Sequence, residues 1–150
     1  MTISSRSRLI LGTFILTLSA ATGLVAWSVL TCAGGSVGGL WLGAVTLLAN
    51  ILAWVLVGSR MPSKLVLVIG LLPALAALSY TTSTIQLAAG YFGDGLSACS
   101  ILRDGQEFPE DGREPLFITL WFLVCTSFWG GLVPVVIRAL RVHGGIANGE

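Results

Sequence analysis

Leu9 to Leu30 runs for 22 residues without a charged side chain. At about 1.5 Å of rise per residue, a helix of that length covers roughly 33 Å, enough to cross a bilayer's hydrocarbon core. Three further uncharged runs follow, Gly38 to Val57, Leu65 to Ala89 and Leu116 to Ile137. A segment in hydrocarbon must satisfy its own backbone hydrogen bonds, and a helix does so internally. The runs therefore predict an all-α polytopic membrane protein. The expected form is a single domain over residues 1–150, a four-transmembrane-helix antiparallel bundle with spans at about 9–30, 38–57, 65–89 and 116–137. Composition agrees. Only 10% of the residues are charged, against about a quarter in soluble domains, and the mean hydropathy is +0.90.

The connections sharpen this expectation. CAGGSVGG (residues 32–39) reads as a tight glycine-rich turn, and GSRMPSK (residues 58–64) as another. Seven residues between two apolar runs imply antiparallel neighbours, so spans two and three should form a helical hairpin. Pro73 falls mid-span in the third run, Pro115 in the first turn of the fourth, and Pro134 near its end, where it could bend or stop the helix. A basic start before an apolar run also fits a signal peptide, but this run is longer than a typical h-region, and we read it as a retained span. Val29-Leu30-Thr31-Cys32 has the outline of a lipoprotein site, but Thr31 is a poor residue before a lipidated cysteine.

Residues 90–115 are the exception in an apolar chain. They carry Asp94, Asp104, Glu107, Glu110, Asp111 and Glu114, six of the seven acidic residues. Asp94-Gly95, Asp104-Gly105 and Asp111-Gly112 are turn signals. Arg6, Arg8, Arg60, Lys64, Arg138 and Arg141, six of the eight basic residues, fall on the opposite side of a four-span topology. Basic flanks stay cytoplasmic. Both termini are thus expected inside, and the acidic loop outside, in a plasma or bacterial inner membrane.

Chemistry-bearing residues are few. Cys32 and Cys99 fall on the same outer side, where the compartment is oxidising, and we expect a disulfide between them. Cys125 lies mid-span and reads as packing. Gly35, Gly39 and Gly43 recur every four residues, and Thr46, Asn50 and Ala53 continue that helical face. Small residues at this spacing let helix backbones approach, and Asn50 needs a hydrogen-bond partner in hydrocarbon. It would find one on a neighbouring helix, in another subunit, or in a solute. Ser79 to Thr84 could line a small pocket under the loop or bond back to their own helix carbonyls. Trp27 sits where an indole favours the interface, and Trp41, Trp54, Trp121 and Trp129 read as interface or packing residues. Gly130 and Gly131 offer a second close contact.

The acids Asp104, Glu107, Glu110, Asp111 and Glu114 read as a surface for docking a basic partner or as a solvated face. They lack the ligand order of an EF-hand, so no metal is expected. No span contains an ionisable Asp, Glu, Lys or Arg, the group that proton- and cation-coupled transporters keep at mid-membrane. The Cys-Cys-Gly hallmark of tetraspanins is absent. No catalytic set, cofactor motif or nucleic-acid footprint is present, so neither a cofactor nor a nucleic-acid partner is expected.

The expected function is non-catalytic. The protein would act through membrane lipid, helix–helix and outer-loop contacts, as an accessory subunit among other membrane protein subunits or as an immunity-type protein. The alternatives are a small channel or transporter lined by Asn50 and the span-three hydroxyls, and a membrane thiol-disulfide oxidoreductase cycling Cys32 and Cys99. The disulfide itself would close a long loop, worth up to roughly 4 kcal/mol in the chain-entropy treatment. Oxidised and reduced protein should differ in gel mobility, and Cys32→Ser should abolish the difference. Identical mobility of the two forms would exclude the bond.

Overall fold

The computed structural model describes residues 5–28, 35–57, 64–102 and 112–146. Among them every regular element is helical: α1 (Ser5–Ser28), α2 (Gly35–Val57), α3 (Lys64–Ala88), the short α4 (Ala98–Leu102) and α5 (Glu114–Ile146). Three stretches, Ser7–Trp27, Gly38–Val57 and Glu114–Ile137, are long and apolar enough to cross a membrane. Helix α3 is comparable in length at 25 residues, but its second half is rich in hydroxyls. The outer surface of the helices is apolar, with Phe14, Leu48, Val55, Leu72 and Leu75 all exposed. Hydrocarbon solvates such a surface and water does not.

Each long helix buries one stripe with alternating spacings of three and four residues. In α1 the stripe is Gly12, Leu16, Ser19, Gly23 and Ala26. In α2 it is Gly39, Gly43, Thr46, Asn50, Ala53 and Val57. In α3 it is Pro73, Ala77, Tyr80, Thr84 and Leu87, and in α5 Phe117, Trp121, Val124 and Phe128. That spacing keeps one seam facing its neighbours along the helix length. The seams are complementary in size: α1 and α2 supply small residues, and α5 supplies large aromatic ones.

Contacts fix the helix arrangement. Helix α1 packs on α2 and α3, and α5 packs on the same two. Gly12 meets Ala53 and Val57, while Ser19 meets Thr46 and Asn50, so residue numbers rise in α1 as they fall in α2. Between α2 and α5 they rise together, from Gly43 against Leu120 to Gly131 against Trp54. The expected α2–α3 hairpin is therefore not a pair of closely packed neighbours among the described residues. Among the described residues, the two helices face each other across a ring in the order α1, α2, α5, α3. A short connection fixes which ends are close, not which flanks touch. Here the middle is filled by rings: Trp27 packs on Phe117 and Trp121, and Tyr80 packs on Trp121, at centroid separations of 5.5–5.8 Å. Trp27 thus points inward, where an interfacial position was expected.

Several boundaries differ from the sequence reading. Helix α2 already begins at Gly35, so Gly35 to Gly39 are helical and not part of a turn. Helix α5 runs through Pro134 to Ile146, carrying Arg138, Arg141 and His143 on a continuous helix. The carbonyl that loses its partner to Pro134 is that of Gly130.

The start of the 90–115 segment is ordered. Ala89–Gly93 forms a π-helical turn after α3. The Asp94 and Leu96 amides both donate to the Gly90 carbonyl, and Ser97 caps α4 by accepting the Ser100 amide at 3.2 Å. Ile101 lies on Gly90 so closely that a Cβ there would come within 2.6 Å of its Cδ1. Gly95 and Gly112 take φ values of +68° and +74°, as two of the three Asp-Gly turn signals require, and Asp104-Gly105 lies outside the described residues.

Adjacent glycines in α5 test the seam packing. A Cβ on Gly131 would overlap the Trp54 indole, whereas one on Gly130 meets nothing within 4 Å. Gly131→Ala should destabilise the protein by about 1–3 kcal/mol through overpacking. Gly130→Ala should be neutral or stabilising by up to about 1 kcal/mol. Unfolding in mild detergent, followed by tryptophan emission, measures both. Equal midpoints would contradict the packing described.

Candidate functional site

The most concentrated polar chemistry inside the bundle is at Asn50, which is fully buried. The α2 seam turns its side chain toward both α1 and α5. Its Oδ1 accepts a hydrogen bond from Ser19 Oγ at 2.7 Å. Its Nδ2 donates to the Val124 carbonyl at 3.3 Å and to Ser127 Oγ at 3.1 Å. Ser127 in turn donates to the Val124 carbonyl at 2.8 Å. The Ser19 hydroxyl also lies 3.1 Å from the Thr46 carbonyl, and Thr46 Oγ1 donates to the Leu42 carbonyl. Both amide protons and the acceptor oxygen of Asn50 are therefore engaged, and three helices are joined at one point. Of the three partners that the sequence left open for Asn50, this is the neighbouring helix. The node clamps helices and presents no free donor to a ligand.

The other packing residues fall around this node. Gly39 and Gly43 are buried on the same α2 face, and a Cβ on Gly43 would approach Leu120 Cδ2 to 2.9 Å. Gly35 lies in the first turn of α2. The sequence reading did not single out Ser19 and Ser127, the partners of Asn50, or Gly12 and Gly23. Gly23 holds the Tyr80 ring, where a Cβ would lie 2.9 Å from Cε1. Their signal was present as the Gly12, Ser19 and Ala26 repeat, seven residues apart, on α1.

The hydroxyl-rich half of α3 is mostly bonded to its own backbone. Thr81, Thr82, Ser83 and Thr84 donate to carbonyls three or four residues back. Thr81 Oγ1 also accepts from Trp129 Nε1 at 3.0 Å, and Thr84 Oγ1 from the buried Cys125 thiol at 3.8 Å. A cavity of about 350 Å³ does lie here between α3 and α5, lined by Thr81, Thr84, Ile85, Phe122, Cys125 and Trp129. Its wall is apolar, because the hydroxyls are engaged, and its exposed rim residues place its mouth on the bundle's outer surface. Four aromatic polar atoms are buried without a partner among the described residues: Nε1 of Trp27, Trp54 and Trp121, and Tyr80 Oη.

The remaining expected sites lie mostly beyond the described residues. Asp104, Glu107, Glu110 and Asp111 are outside them, as are Cys32 and the side chain of Cys99, so the disulfide falls there too. Glu114 differs from its expected place on an exposed loop. It is the first residue of α5 and only 7% exposed, where a carboxylate complements the positive end of the helix. Among the described residues, no group of three His, Cys, Asp or Glu side chains could hold a metal ion. The chain matches no protein-family model, no curated protein and no solved structure.

A double-mutant cycle measures the clamp. Asn50→Leu and Ser19→Ala should each destabilise the protein, with a coupling energy of about 0.5–2 kcal/mol between them. The readout is unfolding in detergent mixtures. Strictly additive effects would mean that the buried bond contributes nothing.

Proposed function

We propose that this protein is a non-catalytic integral membrane protein that works through contacts with other proteins, as an accessory subunit of a membrane complex. In this reading α1, α2, α3 and α5 are four antiparallel spans, both termini are cytoplasmic, and the acidic segment between α3 and α5 faces outside. An immunity-type protein that blocks a partner within the bilayer belongs to the same class of action.

The observation that carries the reading is the engagement of the interior. A channel would need its deep polar groups to face a path, but Asn50 is bonded to three neighbouring groups of its own chain. The centre beside it is filled by Trp27, Tyr80, Phe117 and Trp121. The chemistry left for recognition is on the outside, in the acids Asp104, Glu107, Glu110 and Asp111 and on the lipid-facing helix surfaces. Cys99, in α4, and the end of α1 both belong to the outer end in this topology, so a Cys32–Cys99 bond would brace the acidic segment.

The test is purification of the full chain from its native membrane in a gentle detergent. A stoichiometric partner should co-purify, and replacing Asp104, Glu107 and Glu110 with their amides should weaken its retention severalfold. Protein that elutes alone, and that conducts solute when reconstituted in vesicles, would overturn the proposal in favour of a channel.

A further inference from the structure

Three of the four long helices bring basic residues to the same end of the bundle. Gly12 of α1 meets Val57 of α2, and Gly131 of α5 meets Trp54 of α2. Thr81 and Thr84 of α3 meet Trp129 and Cys125 of α5, so α3 runs opposite to α5. The start of α1, the end of α2, the start of α3 and the end of α5 therefore lie together. Arg6 and Arg8 fall in the first turn of α1, Lys64 is the first residue of α3, and Arg138 and Arg141 fall near the end of α5. No carboxylate accompanies them in the sequence. The first acid of the chain is Asp94, and none lies between Glu114 and the last residue, Glu150. Among the described residues, Arg8 and Arg141 are exposed and make no ion pair.

Position along the helices says what these cations face. Helix α5 is apolar enough to cross a membrane over Glu114–Ile137 and continues to Ile146. Arg138 follows Ile137 directly, and Arg141 comes one turn later, about 6 Å past Ile137 along the axis. The uncharged runs of α1 and α3 begin at Leu9 and Leu65, so Arg8 and Lys64 directly precede them. A bilayer's headgroup layer is about 5–8 Å thick on each side of the hydrocarbon. All four cations thus fall at the level of the lipid phosphates. A guanidinium's planar fork of N–H donors matches a phosphate, and the chain itself supplies no carboxylate to compete for it. Nor does a second copy in the same orientation, whose acidic segment is at the far end of the bundle.

We propose that this end of the bundle is a docking surface for anionic phospholipid headgroups, with Arg8 and Arg141 as its exposed members and Arg6, Lys64 and Arg138 beside them. The inference rests on the reading of the helices as four spans. The lipid class follows from charge. Phosphatidylcholine carries its own cation beside the phosphate, whereas phosphatidylglycerol leaves the phosphate's charge uncompensated. Each Lys or Arg close to an anionic surface strengthens the attraction about fivefold. Because the cations come from three helices, bound headgroups would hold the depth of α1, α3 and α5 at once.

The experiment uses the full chain in phosphatidylcholine vesicles containing a trace of spin-labelled phosphatidylglycerol or spin-labelled phosphatidylcholine. The fraction of each label immobilised by the protein measures its relative affinity. Native protein should prefer phosphatidylglycerol by about fivefold. Raising the ionic strength from about 0.1 M to about 1 M shortens the screening length from about 10 Å to about 3 Å and should reduce that preference. The double variant Arg8→Gln, Arg141→Gln should lower it at least about twofold, whereas Arg8→Lys, Arg141→Lys should retain most of it. Both positions are exposed, so the circular dichroism and tryptophan emission of the variants should match those of native protein. Equal immobilisation of the two labels by native protein, or the same preference in native and glutamine protein, overturns the proposal. So does a native membrane in which the glutamine variant releases an acidic protein while its lipid preference is unchanged. Impermeant-reagent labelling of Ser59→Cys and Asp94→Cys in sealed vesicles separates the two levels of the argument. Labelling on opposite sides keeps the four spans, so that a missing preference then refutes the lipid contact alone. Labelling on the same side removes the four-span reading and the lipid contact together.

Discussion

A polar group in hydrocarbon has no water to fall back on, and the bundle is arranged around that fact. Asn50 is the deepest amide, and its bonds determine which helices can be neighbours. It must face Ser19 on one side and Ser127 and the Val124 carbonyl on the other. With those contacts in place, α2 sits between α1 and α5, and the register of both pairs is fixed. A shift of one helical turn, about 5.4 Å, would break all three bonds at once. Hydrophobic burial could not set that register, because lipid is as apolar as the seams themselves.

Shape completes what the hydrogen bonds begin. Without a hydrophobic driving force between helices, close packing supplies much of the association energy. The α1 and α2 seams are built from Gly, Ser, Ala, Thr and Asn apart from Leu16 and Val57, and the α5 seam from Phe, Trp and Val. Small seams admit large ones, so the rings of Trp121 and Phe128 fill the centre where a bundle of uniform residues would leave a void. The same rings lie between α2 and α3, although only six residues, 58–63, separate the two helices in sequence. The arrangement has a cost as well. Buried indole and phenol groups without partners each forfeit on the order of 1–3 kcal/mol, so tight packing prevails over complete hydrogen bonding at this level.

Much of this was legible in the sequence, and the reasons for success and failure differ by residue. Long uncharged runs predict helices because hydrocarbon allows few other backbones, and all four runs are helical over their described residues. Gly39, Gly43 and Asn50 were visible because glycines and an amide stand out against Leu and Val. Ser19 and Ser127 were not, because a serine can bond to its own helix and so carries no directional signal. The α2–α3 hairpin is not seen as flank packing among the described residues, because loop length constrains connectivity and says little about flanks. Gly35 was assigned to a turn because glycine is as common at close helix contacts as at chain reversals. Glu114 was grouped with the loop acids because its charge was read before its position beside Pro115, which marks the start of a helix. Asp94-Gly95 and Asp111-Gly112 read correctly because positive φ is a local property.

The distribution of unsatisfied polarity bears on function more directly than any motif. A transporter keeps reactive or exchangeable polar groups inside and presents a uniform apolar surface to lipid. Here the Asn50 amide and the buried serine and threonine hydroxyls are bonded within the chain, while the Tyr80 hydroxyl and three indole N–H groups are enclosed by packing and face no path.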